Sequence, residues 1–193
     1  MARNPSPEIS RRTDPLRRER IIDCTLDIIA RRGTRFATYR TVAESIQVPL
    51  GSMTYHFPSH DDLIFAAFEK FADDLFAPLR GLEDDRSGGD PRERLVKVII
   101  STERDRQRDM VILAELYVLA FRDERYANLM RQWMRKTRGV ISRSIDDERA
   151  QVIDAVQEGL SLHRYFTPEE FSEDTVRRAL VDLVPELSRK TRP

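Results

Sequence analysis

The chain has 193 residues, enough for one substantial core or for a small domain joined to a larger one. Hydrophobic residues at 40% against charged residues at 34% exclude a disordered chain, and seven glycines are too few for the many turns of an all-β protein, so a helical globular protein is expected. The formal net charge of zero conceals an asymmetry: residues 1 to 60 hold 10 Lys/Arg against 6 Asp/Glu and the remainder 23 against 27, the pattern of a polyanion-facing module attached to a mildly acidic body.

Residues 1 to 13 carry two prolines, little apolar content and Arg3, Arg11 and Arg12, and read as a basic flexible arm. Arg11 and Arg12 suit a minor groove or a phosphate backbone, and suit a solubilising tail equally well. Asp14 and Pro15 then offer a cap and a first helical residue. Ile21, Ile22, Thr25, Leu26, Ile28 and Ile29 recur at helical spacing, and Gly33 behind Arg31 and Arg32 supplies the stop. Cys24 lies within this helix. As the only cysteine it excludes an intramolecular disulfide and a cysteine-based zinc site, and without a resolving partner it reads as packed rather than redox-active.

Thr38 is placed to cap a second, short helix reaching Ile46, with Val42 and Ile46 as its apolar stripe. Residues 47 to 57, QVPLGSMTYHF, follow a tight turn. Pro49 fits the first turn of a third helix in which Leu50, Met53 and Phe57 face inward and Gly51, Ser52, Thr54, Tyr55 and His56 face outward. Pro58 ends it, and Ser59 caps a fourth helix with Asp61 and Asp62 in its first turn and an apolar face of Leu63, Ile64, Ala67, Phe68, Phe71 and Leu75.

Residues 81 to 91, with Gly88, Gly89 and Pro91 among acidic residues, read as a loop. Leu95, Val98, Ile99 and Thr102 mark a fifth helix. Val111 to Phe121 is apolar on nearly every side and is expected as a central, buried sixth helix; it is too short to span a bilayer and contains Glu115. Tyr126 to Ile145 forms the seventh. Val152, Ile153, Val156 and Leu160 mark the eighth, running to Gly159 and a loop, LHRYF. Thr167-Pro168-Glu169-Glu170 combines a capping box with proline at the first position and predicts the start of a ninth helix through Val176, Ala179, Leu180 and Leu187. The predicted architecture is therefore all-α with about nine helices: an arm over 1–13, a three-helix head with a helix-turn-helix over 14–60, and a helical domain over 61–193. With no apolar leader at the N-terminus, a cytoplasmic location is expected.

Two short helices joined by a tight turn, the second with small and polar residues outside, form the arrangement that enters the major groove of DNA. Gly51 and Ser52 allow close backbone approach. Thr38, Arg40, Tyr55 and His56 are donors for phosphate oxygens, Thr54 and Pro49 lie on the same outer surface, and Leu50 suits a thymine methyl. A structural helical hairpin is the plainer alternative. His56 and His60 lie four residues apart, but Pro58 interrupts the helical spacing, so no metal site is expected.

At Thr38-Tyr39-Arg40-Thr41-Val42-Ala43, then Val48-Pro49-Leu50-Gly51-Ser52-Met53-Thr54-Tyr55-His56-Phe57-Pro58-Ser59 and Asp61-Asp62-Leu63, the sequence resembles the TetR family of bacterial transcription regulators. The match covers roughly residues 15 to 75. It departs from the family at Gln47, where the turn usually has glycine, and at His60, where the family usually has a phosphate-contacting lysine and where the imidazole is the candidate DNA contact in its place. The resemblance implies a double-stranded DNA operator as partner and an all-helical C-terminal domain that holds a small-molecule effector of unknown identity. It also implies a homodimer formed through the last two helices, here near 147–164 and 168–187. The expected function is a ligand-responsive repressor; the alternative is a helical interaction module whose N-terminal hairpin binds an acidic protein.

Candidates for the effector site are Phe68, Phe71, Met110, Leu113, Glu115, Tyr117, Phe121, Met130, Trp133 and Met134, which serve equally well as ordinary core. Glu115, alone in an apolar helix, is the polar candidate, with an ion pair to a neighbouring arginine as its plainer role. The sequence has no glycine-rich phosphate loop, nucleophile elbow or paired carboxylates, so neither an enzyme nor a cofactor is expected.

Overall fold

The computed structural model describes residues 16–84, 96, 106–143 and 145–183. Among the described residues all regular structure is helical: α1 (Arg17–Arg32), a 3-10 turn (Thr34–Phe36), α2 (Tyr39–Ser45), α3 (Leu50–His56), α4 (His60–Asp84), α5 (Arg106–Ala120), α6 (Glu124–Ile141), α7 (Asp147–Phe166) and α8 (Glu173–Leu183). The all-α expectation holds. The predicted fifth helix lies outside the described residues save for Val96, which is buried and helical, as do Asp14, Pro15 and the basic arm. None of the described helices is long and apolar enough to cross a membrane.

The chain divides into two compact units after Phe68, inside α4. In the first, α1 buries the predicted residues Ile21, Ile22, Thr25, Leu26, Ile28 and Ile29 and packs against the 3-10 turn and α2, which in turn packs against α3. Thr25 is satisfied in the core because its hydroxyl donates to the Ile21 carbonyl at 2.8 Å. Gly33 ends α1 at φ 87°, its N–H returning to the Ile29 carbonyl.

In the second unit α5, α6 and α7 pack on one another and α8 packs on α7. Val96, Ile141, Ile145, Ala150, Ile153, Val176 and Leu180 form one apolar cluster, with Leu160 against it. Phe76, Val140 and Trp133 form another. Asp123 and Asp146 cap α6 and α7 by accepting from Arg125 N–H at 2.8 Å and Arg149 N–H at 2.9 Å. The largely buried Asp154 carboxylate accepts from Arg138 at 2.9 Å.

Five expectations are corrected. α4 continues through Gly81–Asp84, which were expected in a loop. α5 is not buried on every side: Ile112 and Leu116 are, whereas Val118 is exposed and Phe121, past the helix end, is 84% exposed. α6 and α7 pack against it, and Val118 and Phe121 lie where neither covers them. α6 stops at Ile141, since Asp146 begins the next helix and Ile145 is buried in the connection.

α7 runs through Gly159 to Phe166, so the segment expected as a loop is helical. A glycine inside a helix costs only about 0.5–1 kcal/mol relative to alanine, less than burying the adjacent apolar residues contributes. Thr167 ends α7 rather than opening α8: its N–H and hydroxyl both bond the His163 carbonyl, at 2.8 and 3.1 Å. Ser172 is the competing cap, accepting from Thr175 N–H at 3.3 Å with Glu173 and Asp174 in the first turn.

Candidate nucleic-acid interface

α2 begins where Thr38, extended at ψ 158°, accepts from the Thr41 N–H at 3.2 Å through its hydroxyl. The turn that follows closes in the Schellman pattern: Val48 N–H donates to the Ala43 carbonyl at 3.0 Å and Gln47 N–H to the Glu44 carbonyl at 3.3 Å. Gln47 takes the left-handed conformation at φ 56°. A side chain there costs about 1 kcal/mol relative to glycine, and the two turn hydrogen bonds with the burial of Val42 and Ala43 hold it in place.

Pro49, at φ −60° and ψ 142°, is the residue before α3 rather than in its first turn. Met53 and Phe57 are buried and fix the inner face of α3, as predicted. Leu50 is not inward-facing: it is 55% exposed, on the same outer surface as Gly51, Thr54 and Tyr55, the last 84% exposed. By spacing it shares the face of Met53 and Phe57, but it stands at the first residue of the helix, where that face runs out to solvent. Ser52 and His56 are half-buried, and the Tyr55 and His56 rings meet edge to face at 5.0 Å. A Cβ on Gly51 would meet no atom within 4 Å, and its backbone is ordinary helix, so nothing inside this chain requires glycine there.

Tyr39 has a role not read from the sequence. Its hydroxyl donates to the Phe57 carbonyl at 2.7 Å, satisfying an acceptor at the end of α3, and burial holds the phenol above its ordinary pKa, where it remains a donor. The signal was an aromatic residue at the first position of a capped short helix, but its partner lies 18 residues away and no local pattern names it. Arg18 stacks over the Phe57 ring at 5.2 Å from the other side of the sequence.

His60 Nε2 lies 3.0 Å from the Ala37 carbonyl, which ties the start of α4 to the approach to α2. With that nitrogen donating to the backbone, His60 is a structural tie at the position where the family's lysine reaches for phosphate. Arg40 is fully exposed and paired with Glu44 at 2.8 Å. Such exposed pairs contribute little, so the guanidinium is readily re-partnered by a phosphate. Cys24 is half-buried and its thiol is pushed up chiefly by that burial, which keeps it protonated and poorly nucleophilic.

Of the effector candidates, Phe68 falls in the first unit and the other nine in the second. Phe68, Phe71 and Met130 are buried; Met110, Leu113, Glu115, Tyr117, Trp133 and Met134 are half-buried. The rings of Tyr117 and Phe121 stack with centroids 6.2 Å apart. The Tyr117 hydroxyl donates to Glu158 of α7, a carboxylate the sequence reading missed because its partner is 41 residues away. Burial holds Glu158 above the usual carboxylate range.

These elements define an all-α protein with an N-terminal helix-turn-helix. No protein-family model matches the sequence. Its structure is similar to that of SCO7518 of Streptomyces coelicolor A3(2), named as a transcriptional regulator: TM-score 0.78, 36% identity, 89% of this chain and 100% of that one. SCO1917, a TetR-family member from Streptomyces coelicolor A3, gives TM-score 0.78 at 28% identity over 88% of this chain and 99% of its own. The multidrug binding protein EbrR, solved in complex with imidazole, gives TM-score 0.72 at 30% identity over 90% and 97%. Among curated relatives, the HTH-type transcriptional repressor KstR2 of Rhodococcus jostii is 31% identical over 86 residues, 45% of this chain and 41% of that protein, so the chain spans about two fifths of the curated relative it matches. The chain belongs to the TetR family of transcription regulators.

Proposed function

We propose that the protein is a cytoplasmic, dimeric, ligand-responsive repressor that reads a pseudo-palindromic double-stranded DNA operator with α3 and releases it when a small molecule binds the helical body. The observation that carries this reading is the polarity of α3: Met53 and Phe57 anchor one face, while the other presents Leu50, Gly51, Thr54 and Tyr55 to solvent beside Thr38 and Arg40. A leucine and a tyrosine exposed on one short helix, with Gly51 and Thr54 between them, suit the floor and edges of a groove.

In this mechanism Gly51 and Ser52 bring the backbone against the DNA, and Leu50 meets a thymine methyl. Thr38, Arg40, Tyr55 and His56 grip phosphates, and Tyr39 and His60 hold the helices at their spacing. An exposed apolar stripe on α7, Val152, Ala155, Leu162 and Phe166, lies on the outer side of the helix, and pairing it with a second copy supports the dimer. Two heads on a two-fold axis place the recognition helices about 34–36 Å apart, one turn of DNA. α4, which carries residues of both units, transmits the effector's preference for one head separation; a coupling of about 1–3 kcal/mol changes operator affinity some 5- to 150-fold. The naming of KstR2 as a repressor and of EbrR as a multidrug binding protein supports the two halves of the reading.

Mobility shift of the DNA flanking the chain's own gene tests it. Salt-sensitive, sequence-selective retardation is expected. No retardation at low salt contradicts the regulator and favours the interaction module.

A further inference from the structure

The interior of the second unit holds polar atoms that the fold itself leaves unsatisfied. On α6 the Trp133 indole Nε1 is buried without a hydrogen-bond partner, and on α7 the Gln157 Oε1 is buried without one. The next residue on α7, Glu158, is a half-buried carboxylate whose described partner is the Tyr117 phenol and which has no cation paired with it among the described residues. α5, α6 and α7 pack on one another, so Tyr117, Trp133, Gln157 and Glu158 come from three mutually packed helices. Each unmade hydrogen bond of this kind is destabilising, and natural structures seldom keep several without a use.

The chemistry of these groups is lopsided. Glu158 and Gln157 offer acceptors on successive positions of one helix against the single orphaned donor of the Trp133 indole, and Tyr117, stacked on Phe121, and Trp133 offer aromatic faces. A carboxylate drawn into a partly dry site without a cation is stabilised most by a ligand that brings one. Aromatic faces attract the same charge. An anionic ligand would meet Glu158 with like charge, and a purely apolar ligand would leave the Gln157 acceptor unmade and Glu158 without a counter-charge.

We propose that the effector of this protein is an aromatic organic cation carrying N–H donors, an amidinium or protonated arylamine, whose charge rests on Glu158 and whose N–H reaches Gln157. This deepens the ligand-responsive reading above and rests on it. Glu158 is then the specificity-determining residue, and Tyr117 positions its carboxylate while the site is empty of ligand.

Trp133 is the chain's single tryptophan, so its fluorescence reports on the interior between α5, α6 and α7 from one position. The probes are 2-naphthamidine, 2-naphthamide and 2-naphthoate, which share one ring system and differ in charge, titrated into the full chain. The amidine is expected to bind at least tenfold more tightly than the amide, with naphthoate weakest. Glu158→Gln is expected to remove that preference, weakening the amidine at least tenfold while the amide changes less than twofold. Comparison of amidine with amide on the wild-type chain stands even if the variant folds poorly. Equal binding of the three probes, or an amidine preference that survives Glu158→Gln in a variant of unchanged helicity, overturns the cation while leaving a ligand-binding body. No response of Trp133 to any of the three overturns the ligand reading with it.

Discussion

The two units use surface and interior in opposite ways. In the first, the interior is quiet: Ile21, Leu26, Ile29, Met53 and Phe57 are buried, Thr25 is bonded to its own helix, and the chemistry points outward on α3. In the second, the described surface keeps apolar side chains exposed on α7 while the interior holds Asp154, Glu158 and the unpaired atoms of Trp133 and Gln157. A reading head needs a rigid frame and an interchangeable outer face. On the proposed reading, the body's interior is one that a ligand completes and its outer face one that a second copy covers.

The sharpest way to break the contrast is to empty the head's core. Phe57→Ala removes a buried ring and the seat of Arg18, and about 3–5 kcal/mol of stability is expected to go with it. Chemical denaturation should show that loss, and DNA retardation should vanish while sedimentation still reports a dimer. A charge on the outer stripe of α7 tests the other side: Leu162→Arg should weaken dimerisation at least tenfold by sedimentation, since about 1.5–3 kcal/mol attaches to burying each leucine. The variant's helicity should be unchanged.

Gly51→Ala separates stability from function within the head. Because the added methyl meets nothing and the backbone is already helical, the variant should gain about 0.5–1 kcal/mol by denaturation. Operator affinity should fall by several fold, because the methyl stands where the DNA backbone approaches. A variant that binds as well as wild type would remove Gly51 from the interface.

The smallest effect concerns Glu158. Its folded-state pKa is raised by burial, so the folded chain binds the proton more tightly than the unfolded chain. Stability therefore falls as pH rises from the ordinary glutamate range up to the raised value, and stays lower above it. Glu158→Gln, a mimic of the protonated acid, should be more stable than wild type near neutral pH and should flatten that part of the stability profile in pH-dependent denaturation.

The head was legible because its structure is local. Thr38, Gly33, Ser59 and the spacing of Met53 and Phe57 each act within a few residues of chain, and Gln47 stood where a left-handed turn residue is needed. What escaped was long-range: Tyr39 to Phe57 and His60 to Ala37 are contacts that only the folded chain brings together. The body was legible as helices but not in its boundaries or chemistry. Two capping signals, Thr167 and Ser172, compete five residues apart, and packing decided for the second. Gly159 looked like a stop, yet the helix continues through it because Leu160 packs against the core cluster. Glu158 gave no signal, since a glutamate on a mixed helix is usually solvated, whereas Glu115 drew attention only by standing in an apolar run.

The central claim, that α3 is a DNA-reading helix presented twice, is tested most directly by selecting random double-stranded fragments on the 193-residue protein and sequencing those retained. The account predicts one enriched pseudo-palindrome with half-site centres about 10–10.5 base pairs apart or a multiple of that, bound at least several fold more weakly by Arg40→Ala and by Tyr55→Phe. Retention without an enriched sequence, or an enriched site bound equally well by both variants, would contradict it.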